Sequence, residues 1–412
     1  MLKEISVKRL AVGMFVSLSD VPWFKHPFIR SSFEIKSKSE INDIMALGRE
    51  TVFYDPKKSK SDPLKKDITV VVEPSSESYA EKSMIKSKKA SELRRRRLKF
   101  QKVEEGFSDA LKQSGVLMNE LANGRIKFCE HAKDIATSMS QVFLDETELC
   151  VNHINATASD DGQQFHALNV MVLSLMLGKQ LELDPVHMEK MAFGALVHDI
   201  GQRELPNSII TKPKLTKLEL EKFREHPRLG VNILSRMPDI DRDVMKVVYQ
   251  HHEECSGSGY PKGISADSIT ELSKIVSVTD VYDRMINTRD PSLAVSPHKA
   301  LAIMYGKHKK HFDAQYLGTF IKMLGVYPPG TVCRFTSGDI GIIMSVNPED
   351  VLRPEVILFD PSIPKHDAII YKLGDDLDIE IESTLRPLDL ESEEFNYLNS
   401  RTNIQYFPSA KG

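Results

Sequence analysis

Two adjacent histidines, His251 and His252, stand 52 residues beyond the dipeptide His198-Asp199. The turn Gly257-Ser258-Gly259-Tyr260-Pro261 follows them closely. His166, His226 and Asp280 complete a set of imidazoles and carboxylates spread over a domain-sized stretch. A carboxylate has two oxygens, so Asp199 can bridge two cations while His198 donates one ring nitrogen. Histidine-rich donor sets suit iron, manganese or zinc, whereas oxygen-only sets suit magnesium and calcium. Two such ions close together polarise a phosphate ester and generate hydroxide at neutral pH.

These residues need a helical frame. Apolar residues recur at helix spacing over 164–180, 184–199, 217–236, 241–252, 270–287, 297–309 and 313–325,. Asp184-Pro185, Pro206-Asn207, the Gly/Pro loop 255–263 and Asp290-Pro291 interrupt them,. The spacing predicts an all-α bundle over residues 125–327 with its donors on helices and helix ends. Successive side chains on a helix point about 100° apart, so His251 and His252 can serve one cluster only from a helix end.

Around the bundle the pattern changes. Residues 1–80 read as a small α+β module and linker, with strand-like pieces at Met14–Leu18, Val21–Phe28, Phe33–Ile35 and Thr51–Tyr54, and a helix from Ser39 to Leu47 ending at Gly48,. Trp23 and His26 read as packing and turn residues, because no second donor cluster surrounds them. A short strand, Ile68 to Val72, is expected to return to this module. Residues 81–124 read as a connecting amphipathic helix, along which dimerisation is expected. Its stretch 81–103 holds ten Lys or Arg against two Glu. No aromatic residues interleave the block Arg94–Arg97 to stack bases, so it reads as a solvated face and not as a nucleic-acid site,. Residues 328–412 return to strand patterns at Val332–Thr336, Ile340–Val346, Val356–Phe359 and Leu377–Ile381, a β-rich appendage with one acidic face.

Composition narrows the class. The net charge of −3 gives no general pull toward nucleic-acid polymers or acidic membranes,. The most apolar helical run, Val170 to Leu177, is too short to span a bilayer,. Met1 to Val12 lacks the apolar core of a signal peptide,. The four cysteines show no CxxC spacing, which fits reduced thiols in a cytoplasm, with Cys255 a filler in its loop,. His308 and His311 lie among Lys307, Lys309 and Lys310 and read as a solvated basic face.

In order, spacing and flanks, residues 150–325 resemble the HD-GYP family of bacterial HD phosphohydrolases. The matching pieces are His166, His198-Asp199-Ile200-Gly201, Leu205-Pro206, His226-Pro227, His251-His252-Glu253, Gly257 to Pro261 with Gly263, and Asp280-Val281-Tyr282-Asp283. Gly13 to Val16 and Trp23 to Phe28 resemble a module often fused ahead of that domain. The resemblance implies a mainly α, HD-type helical bundle that hydrolyses cyclic di-GMP to linear pGpG and in some members on to GMP. Some relatives act on 3',3'-cyclic GMP-AMP, and a degenerate member would be a non-catalytic receptor.

It further implies two divalent ions, iron or manganese. His166, His198, Asp199 and Asp280 would hold one; His226, His251 and His252 would hold the second, with Asp199 bridging. Asp199 and His198 would be catalytic, supporting a hydroxide that attacks phosphorus in line. Gln202, Gly257, Gly259, Tyr260, Pro261 and Arg289 would meet the substrate. Four positions depart from the family pattern. Gln202 replaces the usual Lys, Ser256 the Asp before the turn, Gly162 a Glu tied to a third metal, and Ser292 the second basic residue after Arg289. Gly162 implies that cleavage stops mainly at the linear dinucleotide.

Overall fold

The computed structural model describes residues 2–65 and 162–398 apart from short gaps, with scattered positions between 95 and 137. The connecting helix expected over 81–124 falls almost wholly outside the described residues, as do Ile68 to Val72 and much of Val21 to Phe28. Two compact units form, one from Met1–Leu98 with Asp360–Ile369, the other from Lys99–Phe359 with Ile370–Gly412.

In the first unit, strands β1 (Lys3–Ser6), β2 (Phe15–Ser17), β3 (Ser32–Glu34) and β4 (Thr51–Tyr54) make an antiparallel sheet in the order β1-β4-β2-β3. Helix α1 (Lys38–Met45) starts on a capping box in which Ser37 and Glu40 satisfy each other's backbone amides,. The sheet and helix bury Leu10, Met14, Val16, Leu18, Ile35 and Ile44.

The second unit is helical around its site. Helix α2 (Gly162–Gln180) is apolar nearly all round, and it is buried from Ala167 to Leu177,. Beside it lie α3 (Pro185–Val197), α4 (Asn207–Ile210), α5 (Lys217–Phe223), α6 (His226–Leu234), α7 (Arg242–Gln250), α8 (Glu271–Ile286), α9 (Pro297–Gly306) and α10 (Ala314–Leu324). Asp184, Asp241, Ser296 and Asp313 cap four of these by accepting first-turn amides, which fixes where each helix begins,. Helix α8 packs on α2 and α3, with Val276, Val278 and Tyr282 in the core.

One break escapes the periodicity. The single apolar pattern over 217–236 is two helices, α5 and α6, because Pro227 has no N–H for the Phe223 carbonyl,. Proline suits the first turn of the new helix, so α6 begins at His226,.

The unit ends in a five-stranded antiparallel sheet of β5 (Val332–Phe335), β6 (Ile340–Ser345), β7 (Glu355–Leu358), β8 (Ile370–Lys372) and β9 (Ile381–Leu385), in the order β8-β7-β6-β5-β9. A last helix, α11, covers Ser392–Leu398. The alternating stretch Leu377 to Ile381 is not a strand. Gly374 turns the chain with its amide on the Leu377 carbonyl, Leu377 makes only an isolated bridge to Leu373, and the strand starts at Ile381. The fold is thus mainly helical, with a small sheet module before the bundle and a second sheet after it.

Candidate metal centre

Three of the histidines sit where helices end or begin. His198 caps the end of α3, His251 caps the end of α7, and His226 follows α5 after a short break. The last carbonyls of a helix have no amide partner within it. Each ring uses one of them. His198 Nδ1 lies 2.7 Å from the Ala195 carbonyl, His226 Nδ1 2.8 Å from Phe223 and His251 Nδ1 2.9 Å from Val248. A carbonyl only accepts, so each Nδ1–H donates, and Nε2 is the nitrogen left with a lone pair.

His166 reaches the same tautomer by another route. Its Nδ1 lies 2.7 Å from Asp283 Oδ2, and Asp283 Oδ1 accepts from Asn169 Nδ2 at 2.9 Å and Asn287 Nδ2 at 2.7 Å. A carboxylate behind an imidazole orients the ring and raises its basicity as a ligand. The sequence reading placed Asp283 in a motif without this role; its spacing of three residues from Asp280, one helical turn on, was the available signal. Asp283→Asn is expected to weaken divalent-metal binding by about 10- to 100-fold without unfolding the chain. Calorimetric titration with Mn²⁺ checks this, and unchanged affinity would remove Asp283 from the site.

The four Nε2 atoms converge on Asp199. They lie 3.8 Å (His166), 3.5 Å (His198), 3.2 Å (His226) and 3.7 Å (His251) from its carboxylate oxygens. Asp280, fully buried on α8, brings Oδ1 within 2.9 Å of His166 Nε2 and Oδ2 within 3.6 Å of His252 Nδ1. Two groups have donor atoms all within 4.8 Å of one another: Asp199, His226, His251 and His252 form one, and His166, His198 and Asp199 the other.

The donor set fits divalent metal. His226 Nε2 and His251 Nε2 face each other at 3.2 Å, both as lone pairs, a contact that only a cation or a shared proton relieves,. His198 Nε2, Asp199 Oδ1, His252 Nε2 and Asp280 Oδ2 are buried and make no hydrogen bond of acceptable geometry, which is costly without a positive partner,.

The electrostatics agree. Burial opposes charging His198, yet the Asp199 and Asp280 carboxylates carry its pKa up to about 10. His251, buried and beside His198 and His226, falls to about 4, and His252 is lower than normal for the same reasons. Burial pushes Asp199 and Asp280 up, but the Arg284 guanidinium and the histidines hold both well below the usual carboxylate range. The pocket keeps its carboxylates charged and demands cations.

The loop after the histidine pair is tied back to it. Glu253, 2% exposed, accepts from the Lys262 amide at 2.8 Å and the Ile264 amide at 3.0 Å. Tyr260 N donates to the His252 carbonyl at 3.0 Å, and the Tyr260 ring lies 4.6 Å from the His252 ring. A Cβ on Gly259 would sit 2.5 Å from the His252 carbonyl oxygen and 2.3 Å from the Glu254 amide. That glycine is therefore required by the loop's own packing.

Gly257, Gly259, Tyr260 and Pro261 are all half-buried, and the Tyr260 ring lies against the His226 and His252 rings. Arg224, whose guanidinium carbon is 5.3 Å from the Tyr260 ring centre, joins them without having been expected. Gln202 is 2% exposed, with its amide on the Asp199 carbonyl at 2.9 Å. Arg289 and Ser292 fall outside the described residues. Arg284, which the sequence reading passed over, lies against Asp199 and Asp280. Its i,i+4 spacing from Asp280 on α8 was the signal.

A buried His/Asp cluster among packed helices defines a helical domain with the donor set for divalent metal. The HD domain family matches residues 133–316, and the domain of unknown function DUF3391 matches residues 2–132. The chain thus carries an HD domain with a DUF3391 region in front of it.

It is 28% identical over 366 residues to the cyclic di-GMP phosphodiesterase PA4108 of Pseudomonas aeruginosa, covering 87% of this chain and 85% of that protein. It is 28% identical over 164 residues to the 3'3'-cGAMP-specific phosphodiesterase 3 of Vibrio cholerae, covering 40% of this chain and 35% of that one. A solved structure of a HDG"Y"P protein from Bdellovibrio bacteriovorus superposes with a TM-score of 0.47 at 16% identity, covering 79% of this chain and 99% of that one. No helix among the described residues is long and apolar enough to cross a membrane.

Proposed function

We propose that the chain is a cytoplasmic, metal-dependent phosphodiesterase that hydrolyses cyclic di-GMP, mainly to linear pGpG. The observation that carries this reading is the convergence of four Nε2 atoms on the two oxygens of Asp199. Side-chain and carbonyl hydrogen bonds fix all four tautomers. In this reading His166, His198, Asp199 and Asp280 hold one ion, and His226, His251 and His252 hold the other with Asp199 between them. The histidine-rich set favours iron or manganese over magnesium. When bound, the ions would polarise the phosphate oxygens and supply hydroxide at neutral pH.

The protein's own part is positional. The carbonyl-anchored rings keep the donors in place, and Asp199 spans both halves. The loop from Gly257 to Pro261, pinned by Glu253, forms a wall on which Tyr260 and Arg224 meet the dinucleotide. Arg289 is a further substrate contact in this reading, and homodimerisation through residues 81–124 its assembly.

A second reading has a specific observation behind it. Gln202 stands where the family's Lys would meet a phosphate, and it is buried and uncharged. That favours a receptor that binds cyclic dinucleotide without useful turnover. Chromatography of products from the anaerobically purified, Mn²⁺- or Fe²⁺-loaded protein separates these readings. The expected result is pGpG from cyclic di-GMP. Faster cleavage of cyclic GMP-AMP would change the substrate, in line with the relative specific for that dinucleotide. No product from either, with two ions bound per chain, would establish the receptor.

A further inference from the structure

Arg284 lies one helical turn beyond Asp280 on α8, and its guanidinium bridges the two carboxylates of the centre. Nη2 is 2.7 Å from Asp199 Oδ2 and Nε is 2.8 Å from Asp280 Oδ1. These are not arbitrary oxygens. His166 Nε2 and His198 Nε2 lie 3.8 Å and 3.5 Å from Asp199 Oδ2, and 2.9 Å and 3.4 Å from Asp280 Oδ1. The arginine thus holds both carboxylate oxygens that an ion between His166 and His198 would use.

The other half is arranged differently. His226 and His251 face Asp199 Oδ1, at 3.2 Å and 3.7 Å, and His252 faces Asp280 Oδ2 at 3.6 Å. Neither of those oxygens makes a hydrogen bond of acceptable geometry. One set of donors is therefore open, and the other already has a cation.

We propose that the two metal positions load in order: the His226–His251–His252 position first, and the His166–His198 position only after Arg284 has left Asp199 and Asp280. This rests on the two-metal reading above. A guanidinium and a divalent ion on the same two oxygens compete, because, although each oxygen has two lone pairs, their charges repel at such range. Arginine never gives up its proton in proteins, so it can relieve that repulsion only by moving away as a cation. Its side chain is 32% exposed, and its long stem allows that movement,. Arg284 is then a positioning residue that sets how much metal the chain needs before both ions are present.

The test is titration of the metal-free full chain with Mn²⁺, followed by calorimetry and by electron paramagnetic resonance, which registers a spin-coupled pair only when both ions are bound. The unaltered protein is expected to bind in two steps at least about tenfold apart in affinity, a gap of ~1.4 kcal/mol. The coupled signal should appear only with the second step. Arg284→Met, which keeps the stem and drops the charge, is expected to tighten the second step at least about tenfold, so that the coupled signal appears at lower metal. Arg284→Lys, which cannot span both carboxylates in the same way, should fall between.

A circular dichroism spectrum matching the parent confirms that each variant is folded, and the Lys variant serves if the Met variant is not. Two ions bound with an unmoved second step in a folded variant would overturn the proposal. No Mn²⁺ bound by any of the proteins would instead overturn the two-metal reading itself.

Discussion

Asp199→Ala is expected to lower turnover of cyclic dinucleotide at least about a thousandfold, the equivalent of ~4 kcal/mol in the barrier. The same variant should retain less than two metal ions per chain. Asp199 is the shared element of the centre: its two oxygens lie within 3.8 Å of four imidazole nitrogens, and Oδ2 accepts from the Arg284 guanidinium. Removing the carboxylate leaves His226 and His251 without the anion between them and Arg284 with Asp280 alone. Replacement by Asn keeps the shape but not the charge, so it is expected to bind more metal than the Ala variant and still turn over poorly. Metal content by mass spectrometry and product formation by chromatography read the two effects separately. Full activity in Asp199→Ala would place the reaction elsewhere in the molecule.

The second large effect comes from a residue with no side chain. After Asp199 the chain makes a tight helical turn, Ile200–Glu204, which packs on α6. A Cβ on Gly201 would lie 1.9 Å from the His226 carbonyl oxygen and 2.4 Å from the Gly230 amide nitrogen. Both atoms are backbone, so neither can rotate away, and the first turn of α6 would have to shift. Overpacking of this kind costs roughly 3 kcal/mol, and here it also moves a metal-binding ring. Gly201→Ala is therefore expected to lower the denaturant midpoint and to weaken metal binding together. A variant as stable as its parent, with unchanged Mn²⁺ affinity, would show that the turn and α6 are less tightly docked than the distances require.

How much of this was legible beforehand varies residue by residue. The helices that begin on Asp184, Asp241, Ser296 and Asp313 lie within a few residues of the apolar periodicity, because capping and burial both act locally,. Thr51–Tyr54 matches its expected strand. The stretch 217–236 did not read correctly, since apolar spacing continues through the break that Pro227 imposes. Leu377 to Ile381 alternates like a strand, but the turn at Gly374 and the pairing partner of Ile381 decided otherwise. Alternation records which face is apolar and not whether a neighbouring strand is available.

By itself the sequence determined the helical class of the bundle and the ordered set of donors. It also placed His251 and His252 at a helix end, because donor chemistry and helical period belong to the residues themselves. Tertiary structure alone decided the rest. It selected the Nδ1–H tautomer of His166 through Asp283, 117 residues away, whereas the other three rings take theirs from carbonyls three residues back. It buried Gln202 and brought Arg284 onto two carboxylates, one of them 85 residues away in the chain. These outcomes depend on which helix ends meet which, and such contacts join residues too far apart in sequence for any local pattern to record.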